Sequence, residues 1–209
     1  GQASDAHESG AVVWGQDAKV RGRAVSAAKS GRISVDARRM VDAQVAGGAV
    51  NQGALDRLAQ LAQAGDFHNE VAVRVREGDL ALNTAIEAAR VKISADVGQL
   101  ALGANAKIDA RAERGGLVQL AAGKDLIVGS GAQILADSSI STEVGANGGD
   151  ILLASTQGWV DLQAGATVSA MGDDAADGRV VIRAKVDTTV TAETDDADAK
   201  RIQVRKIGA

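Results

Sequence analysis

The chain writes one phrase twice. "GGLVQLAAGKDLIVGSGAQILADS" spans residues 115–138, and "GGDILLASTQGWVDLQAGATVSAMG" spans residues 148–172. Each phrase holds three short apolar runs with small-residue corners between them. Val118/Leu120, Leu126/Val128 and Ile151/Leu153 alternate with period 2, the pattern of strands that bury one face. The final runs, Ala132–Ala136 and Ala166–Ala170, both follow a glycine and share an order of small, polar, β-branched, variable, alanine. A shared order of three runs makes this a structural repeat, not a bias of composition.

Looser copies surround the pair. They are "RISVDARRMVDAQVAG" (32–47), "NEVAVRVREGDLALNTAIEAA" (69–89), "VKISADVGQLALGANAKIDARA" (91–112) and "GRVVIRAKVDTTVTAE" (178–193), with "RIQVRKIGA" (201–209) at the end. The copies recur every 20 to 33 residues or so, the range of stacked arrays with several short strands per turn. The composition agrees. Phe67, Trp14 and Trp159 are the only aromatic residues, so the core must be built from Val, Ile, Leu and Ala in thin layers.

The expected fold is all-β: a right-handed parallel β-helix, each strand pairing with its equivalent one rung on, about 4.8 Å away. A sandwich of hairpins would need Asn-Gly turns between adjacent strands, and Asn147-Gly148 is the sole such pair. The predicted columns are Val118, Ile151 and Val180 or Val181; Leu126 with Val160; and Ile134 with Val168, with Trp159 falling beside Asp125. Residues 1–209 read as one unit of a larger protein, best defined over 90–185, with about seven to nine rungs and no clear cap at either end. One segment breaks the pattern. Over 51–67, Leu55, Leu58, Leu61 and Ala62 fall at helical spacing, which predicts a short helix near 53–64. Asn51 or Gln52 would begin it and Gly65 with Asp66 would end it. It is expected as an insertion on the side of the array, anchored by Phe67.

Several functions are disfavoured. The absence of Cys removes disulfides, Cys-ligated zinc and a thiol nucleophile. A net charge of −4 leaves no basic footprint for nucleic acid. No run reaches the 18 or so apolar residues of a transmembrane helix.

The repeated phrases, with "GRVVIRA" at 178–184, resemble the repeats of filamentous haemagglutinin-like exoproteins, the substrates of two-partner secretion. The carried pattern is G-G-x-[VI]-x-L-x-[AS], a D-L or V-D-L strand, G-A-x-[IV]-x-A, then G-R-V-x-[IL]-R-A. The resemblance implies a right-handed β-helix stalk of a secreted bacterial surface adhesin, exported through an outer-membrane partner that acts on other parts of the parent. It implies a non-enzymatic role in cell adhesion and virulence, a host or neighbouring-cell receptor or glycan of unknown identity, and possible end-to-end or lateral self-association. The family's amino-terminal secretion domain with its Asn-Pro motifs is not in these residues, because the chain has no Pro, and it has no Arg-Gly-Asp triplet.

No catalytic, cofactor-binding or metal-binding residue is assigned, and no cofactor is expected. The competing class is a β-helix lyase or hydrolase acting on polysaccharide, which would gather carboxylates on one face. Its candidates are Asp96, Asp109, Asp125, Asp150 and Asp161, with Asp125 and Asp161 expected near one another; a solvated surface is the simpler reading. The loops 173–177 and 195–198 read as turns before they read as cation sites. His7 and His68 have no partner at ligand spacing, and 129–133 reads as a corner of the stack, not a phosphate loop. A third possibility is direct binding of a glycan or protein through the 51–67 helix; Trp159 is the first residue to inspect for an exposed contact, with packing at a corner as the simpler reading.

Overall fold

A computed structural model of the chain describes residues 10–22, 31–45, 49–138, 147–172, 178–185 and 204–206. The amino-terminal part holds β1 (Ala11–Trp14), β2 (Arg32–Ala37), β3 (Arg39–Asp42) and the helix α1 (Ala54–Ala64). A three-strand unit then repeats four times. Its copies are β4 (Glu70–Val75), β5 (Leu80–Leu82) and β6 (Ala85–Glu87); β7 (Arg90–Ala95), β8 (Leu100–Leu102) and β9 (Lys107–Asp109); β10 (Leu117–Ala122), β11 (Leu126–Val128) and β12 (Gln133–Leu135); and β13 (Asp150–Ser155), β14 (Val160–Leu162) and β15 (Thr167–Ser169). β16 (Arg179–Arg183) and β17 (Val204–Lys206) follow.

Strands pair with their equivalents in neighbouring units, never within a unit. One sheet runs β16-β13-β10-β7-β4-β2, a second β17-β14-β11-β8-β5 and a third β15-β12-β9-β6, while β1 pairs β3 separately. Every pairing between these strands is parallel. The protein is therefore all-β and parallel, with one helix, an arrangement consistent with a solenoid.

Register follows the hydrophobic pattern, because a slip of one residue would turn every inward side chain outward. Val118 pairs with Ile151, and Ile151 with Val180, so the column continues through Val180 and not Val181. Leu126 pairs with Val160, and Ile134 with Val168. Inward residues stack like on like, as in Leu80, Leu100 and Leu126, all buried to 1% exposure or less. Thin layers of this kind need no aromatic filler, and Trp14 and Phe67 sit only at the amino-terminal side of the same core.

The doubled glycines that open the phrases have a steric cause. Gly116, Gly149 and Gly178 precede the in-register residues Leu117, Asp150 and Arg179. A Cβ on them would strike the carbonyl oxygens of Ala110, Gly116 and Gly149 respectively. Only glycine lets one unit close so tightly against the next.

The expected helix is present, at Ala54–Ala64, but its start and its place in the array differ from expectation. It starts at Ala54, because Asn51 and Gly53 adopt left-handed conformations (φ 61° and 66°) and so form a turn before it. Asn51 is buried and does not cap the helix. Its side chain accepts from the Met40 N–H at 2.8 Å and donates to the Glu77 carbonyl at 2.7 Å, tying two layers together. Gly65 ends the helix, as expected.

Nor does α1 decorate a side of the array. Leu55, Leu58, Leu61 and Ala62 belong to the central core, and the helix packs on β6, β5, β3 and β1. β5 and β6 are the end strands of their sheets, so α1 covers edges that would otherwise be bare. The backbone bonds show what it replaces. Along the second sheet, Gln163 N–H donates to Val128 O, Gly129 to Leu102 O and Gly103 to Leu82 O, at 2.8–2.9 Å. The next equivalent donor, Asn83 N–H, has no preceding strand and donates to Asp56 Oδ1 of α1 at 2.7 Å. A first-turn carboxylate, already favoured by the helix dipole, thus stands in for a missing carbonyl. An amphipathic helix caps the amino-terminal edge that the sequence reading left without a cap.

The longest sheet has six strands among the described residues, against the seven to nine rungs expected, and the second and third sheets end one strand earlier at the amino-terminal side, at β5 and β6, where α1 packs.

Candidate functional site

The outer faces carry most of the charge, and neighbouring layers neutralise one another. Asp96 meets Arg74 at 2.8 Å, Asp36 meets Arg76 at 2.9 Å, Glu70 meets Lys92 at 3.1 Å and Asp150 meets Arg179 at 3.0 Å. Asp109 is held by Arg111 at 2.5 Å and Lys107 at 2.9 Å. The Arg111 guanidinium beside it, foremost, and Lys107 hold the Asp109 carboxyl far below the usual carboxylate range, against a partial burial that works the other way. Glu70 is lowered chiefly by its bond to Lys92. Exposed pairs of this sort contribute a few tenths to about 1 kcal/mol each. Of the five candidate carboxylates, Asp96, Asp109 and Asp150 are thus members of surface ion pairs and are not gathered at one place.

Asp125 and Asp161 are brought together, as expected. They line one groove of about 410 Å³ with Ile127 and Trp159, on the outer face of the second sheet. The register explains the company. β11 pairs β14 with Ile127 opposite Asp161, which places Asp125 level with Trp159. Asp125 Oδ1 accepts the Trp159 backbone N–H at 2.8 Å, while the Trp159 carbonyl accepts from Leu126 N–H at 2.8 Å. The corner is therefore locked through the backbone, and the indole is left half exposed, at 47%. Asp161 Oδ1 is buried with no hydrogen-bond partner among the described residues.

The groove contains two carboxylates, one aliphatic and one aromatic side chain. Among the described residues, no histidine, lysine or arginine lines it. Among the described residues, no three His, Cys, Asp or Glu side chains gather as metal ligands. Compared with protein-family models, with curated proteins and with solved structures, the chain matches none. The groove therefore has to be read from its own residues.

The other candidates fall elsewhere. His68 Nδ1 lies 3.2 Å from the Glu87 carbonyl and its Nε2 lies 4.0 Å from Asp66 Oδ1, on the surface. The 129–133 stretch is a corner, closed by Ala132 N–H to Gly129 O at 3.0 Å, with Gly131 at φ 86°. His7 and the loops 173–177 and 195–198 lie outside the described residues. Two contributors escaped the sequence reading. Ile127 was visible only as the middle of "LIV", where alternation points it outward between two inward neighbours. Asp137 accepts from Ser169 Oγ at 2.5 Å and from Met171 N–H at 2.7 Å, a corner clasp with no motif of its own.

Proposed function

We propose that the chain is a right-handed parallel β-helix segment and serves as a structural stalk of a secreted bacterial surface adhesin, similar to the filamentous haemagglutinin-like exoproteins. Right-handedness follows from the strong preference of parallel crossovers for that hand. The observation that carries the reading is the continuity of the stack: three sheets, each in register from layer to layer, around one aliphatic core. Such an object resists bending, because each layer is bonded to the next along three sides. Contacts are between neighbouring layers, so folding can spread from one layer to the next as the chain emerges from a pore. Its work is to hold a binding region away from the cell, and export would use an outer-membrane partner acting on parts of the parent protein outside this segment. In this reading the residues of the stack take no part in catalysis.

The test is export. The segment is fused behind the secretion domain of a two-partner exoprotein and expressed with and without the cognate outer-membrane transporter. The stalk reading expects folded, protease-resistant segment outside the cell only when the transporter is present. Retention and degradation in the periplasm with the transporter present would contradict it. Glycan cleavage lost on alanine substitution of Asp125 and Asp161 would replace it with the enzymatic reading.

A further inference from the structure

We infer that Asn147 is a self-modifying site: attack by the Gly148 backbone nitrogen turns it, in the folded chain, into aspartate and isoaspartate, and the isoaspartyl form loosens the corner that leads into β13. The inference is independent of the stalk reading, since it concerns one peptide bond and not the work of the stack. The chain has five asparagines, and only Asn147 is followed by glycine. Asn147 is exposed, and among the described residues its side chain makes no hydrogen bond. Gly148 N–H donates to no acceptor among them either, whereas Gly115, its equivalent in the preceding copy, donates to Ala112 O at 3.1 Å. Gly148 lines a surface groove of about 670 Å³, so water reaches it. The other four asparagines are held. Asn51 is buried between the Met40 N–H and the Glu77 carbonyl, Asn69 accepts from Arg90, and Asn83 donates to Asp56. Asn105 is exposed, but the Ala106 N–H that would attack it donates to Gly103 O at 2.9 Å.

The reaction needs only water as co-reactant. The Gly148 nitrogen gives its proton to hydroxide and bonds to Asn147 Cγ. The Cγ–Nδ2 bond breaks, the leaving nitrogen takes up a proton and departs as ammonia, and a cyclic imide remains. Glycine permits this, because no Cβ crowds the approach. Water then opens the ring. Addition at Cγ breaks its bond to the Gly148 nitrogen and gives aspartate on an unchanged backbone. Addition at the main-chain carbonyl carbon breaks the original peptide bond and gives isoaspartate, with the backbone routed through Cβ and Cγ. No atom is oxidised or reduced. Either product adds a negative charge, but only the isoaspartyl form lengthens the backbone by a carbon. Gly148 has no room for that shift, because a Cβ on it would already strike Ala170 O and Gly178 N. Beside it, Gly149 donates to Ala136 O and accepts from Arg179 N–H, and Asp150 N–H donates to Gly116 O, all at 2.9 Å. These bonds tie β13 to the layers on both sides, so displacing Gly148 lowers the cost of opening that corner.

The intact chain is incubated folded at neutral and mildly alkaline pH, beside a guanidinium-unfolded sample, and each asparagine is followed by peptide mass analysis. In the folded chain Asn147 should gain the mass of an amide-to-acid exchange, at a rate that rises in proportion to hydroxide and lies within tenfold of the unfolded rate. Asn51, Asn69, Asn83 and Asn105 should stay unchanged in the folded chain. Isomerisation of Asp177, which is also followed by glycine, changes no mass and is told apart. Asn147→Gln should abolish the gain, with circular dichroism and melting like those of the parent chain. The isoaspartyl fraction, separated by chromatography, should exchange the Gly149, Asp150 and Arg179 amides at least tenfold faster than the parent, and freshly prepared Asn147→Asp should exchange them like the parent. The inference is overturned if folded Asn147 does not react or reacts more than tenfold slower than unfolded, if another asparagine reacts first, or if the isoaspartyl fraction exchanges like Asn147→Asp.

Discussion

Truncating one core column at successive layers should cost most where the layer has neighbours on both sides. The third sheet supplies the series Ile86, Ile108, Ile134 and Val168, paired in register from β6 to β15. Ile86, Ile108 and Ile134 are 2%, 0% and 0% exposed, while Val168 is only partly buried, in the last strand of its sheet. Ile→Ala removes three carbons, or about 2.4 kcal/mol of transfer free energy at roughly 0.8 kcal/mol each. The cavity adds to this, because α1 or a rigid strand on each side limits collapse. Ile108→Ala and Ile134→Ala should therefore cost about 3–4 kcal/mol, within the usual span for such changes. Ile86→Ala should cost slightly less, since the helix above it can settle more readily than a strand. Val168→Ala removes two carbons from a half-open site and should cost about 1 kcal/mol. Urea denaturation followed by far-ultraviolet circular dichroism reads the series, with an unchanged slope as the control. Hydrogen exchange adds the location, and lost protection should centre on the truncated layer and its neighbours. An equal cost at all four positions, or a loss under about 1 kcal/mol at Ile108, would refute the layered core.

Two further outcomes follow from single contacts. Asp56→Ala leaves the Asn83 N–H without its substitute carbonyl, so that amide should exchange faster while Gly103 and Gly129 keep their protection, at a stability cost of about 1 kcal/mol. Acidification should destabilise the stack. The Asp109 pKa is depressed in the folded chain, so its contribution is present above the unfolded carboxylate value of about 3.9 and is lost as the pH falls below about 4. Asp109→Asn should remove part of that acid sensitivity, read as a flatter dependence of melting temperature on pH.

The strands and their columns were legible because the information is local and repeated. Alternation assigned the faces, and two copies of one phrase fixed which residue meets which, down to Trp159 beside Asp125. Choosing Val180 over Val181 was not legible, since both are β-branched and alternation alone does not say which copy starts the count. The place of the helix was hidden for a different reason. Helical spacing shows that Leu55, Leu58 and Leu61 bury one stripe, and says nothing about whether the stripe meets a side or an end. The Asp56–Asn83 bond spans 27 residues and belongs to no motif. The groove was half legible. Both carboxylates and the tryptophan could be placed by register, whereas the burial of one Asp161 oxygen appears only once side chains occupy space.

The most direct test of the stacked architecture is a ruler along its outer face. Because the chain has no cysteine, spin labels can be placed on introduced cysteines without background. Ser34, Ala72, Lys92, Gln119, Leu152 and Val181 occupy one register row across the first sheet. Electron–electron dipolar spectroscopy with one label at Ser34 and the other at Gln119, Leu152 or Val181 in turn should give distances rising by about 4.8 Å per step, to roughly 24 Å between backbones at the far pair. Distances that fail to rise in this order, or that bring Ser34 and Val181 together, would contradict the in-register parallel stack.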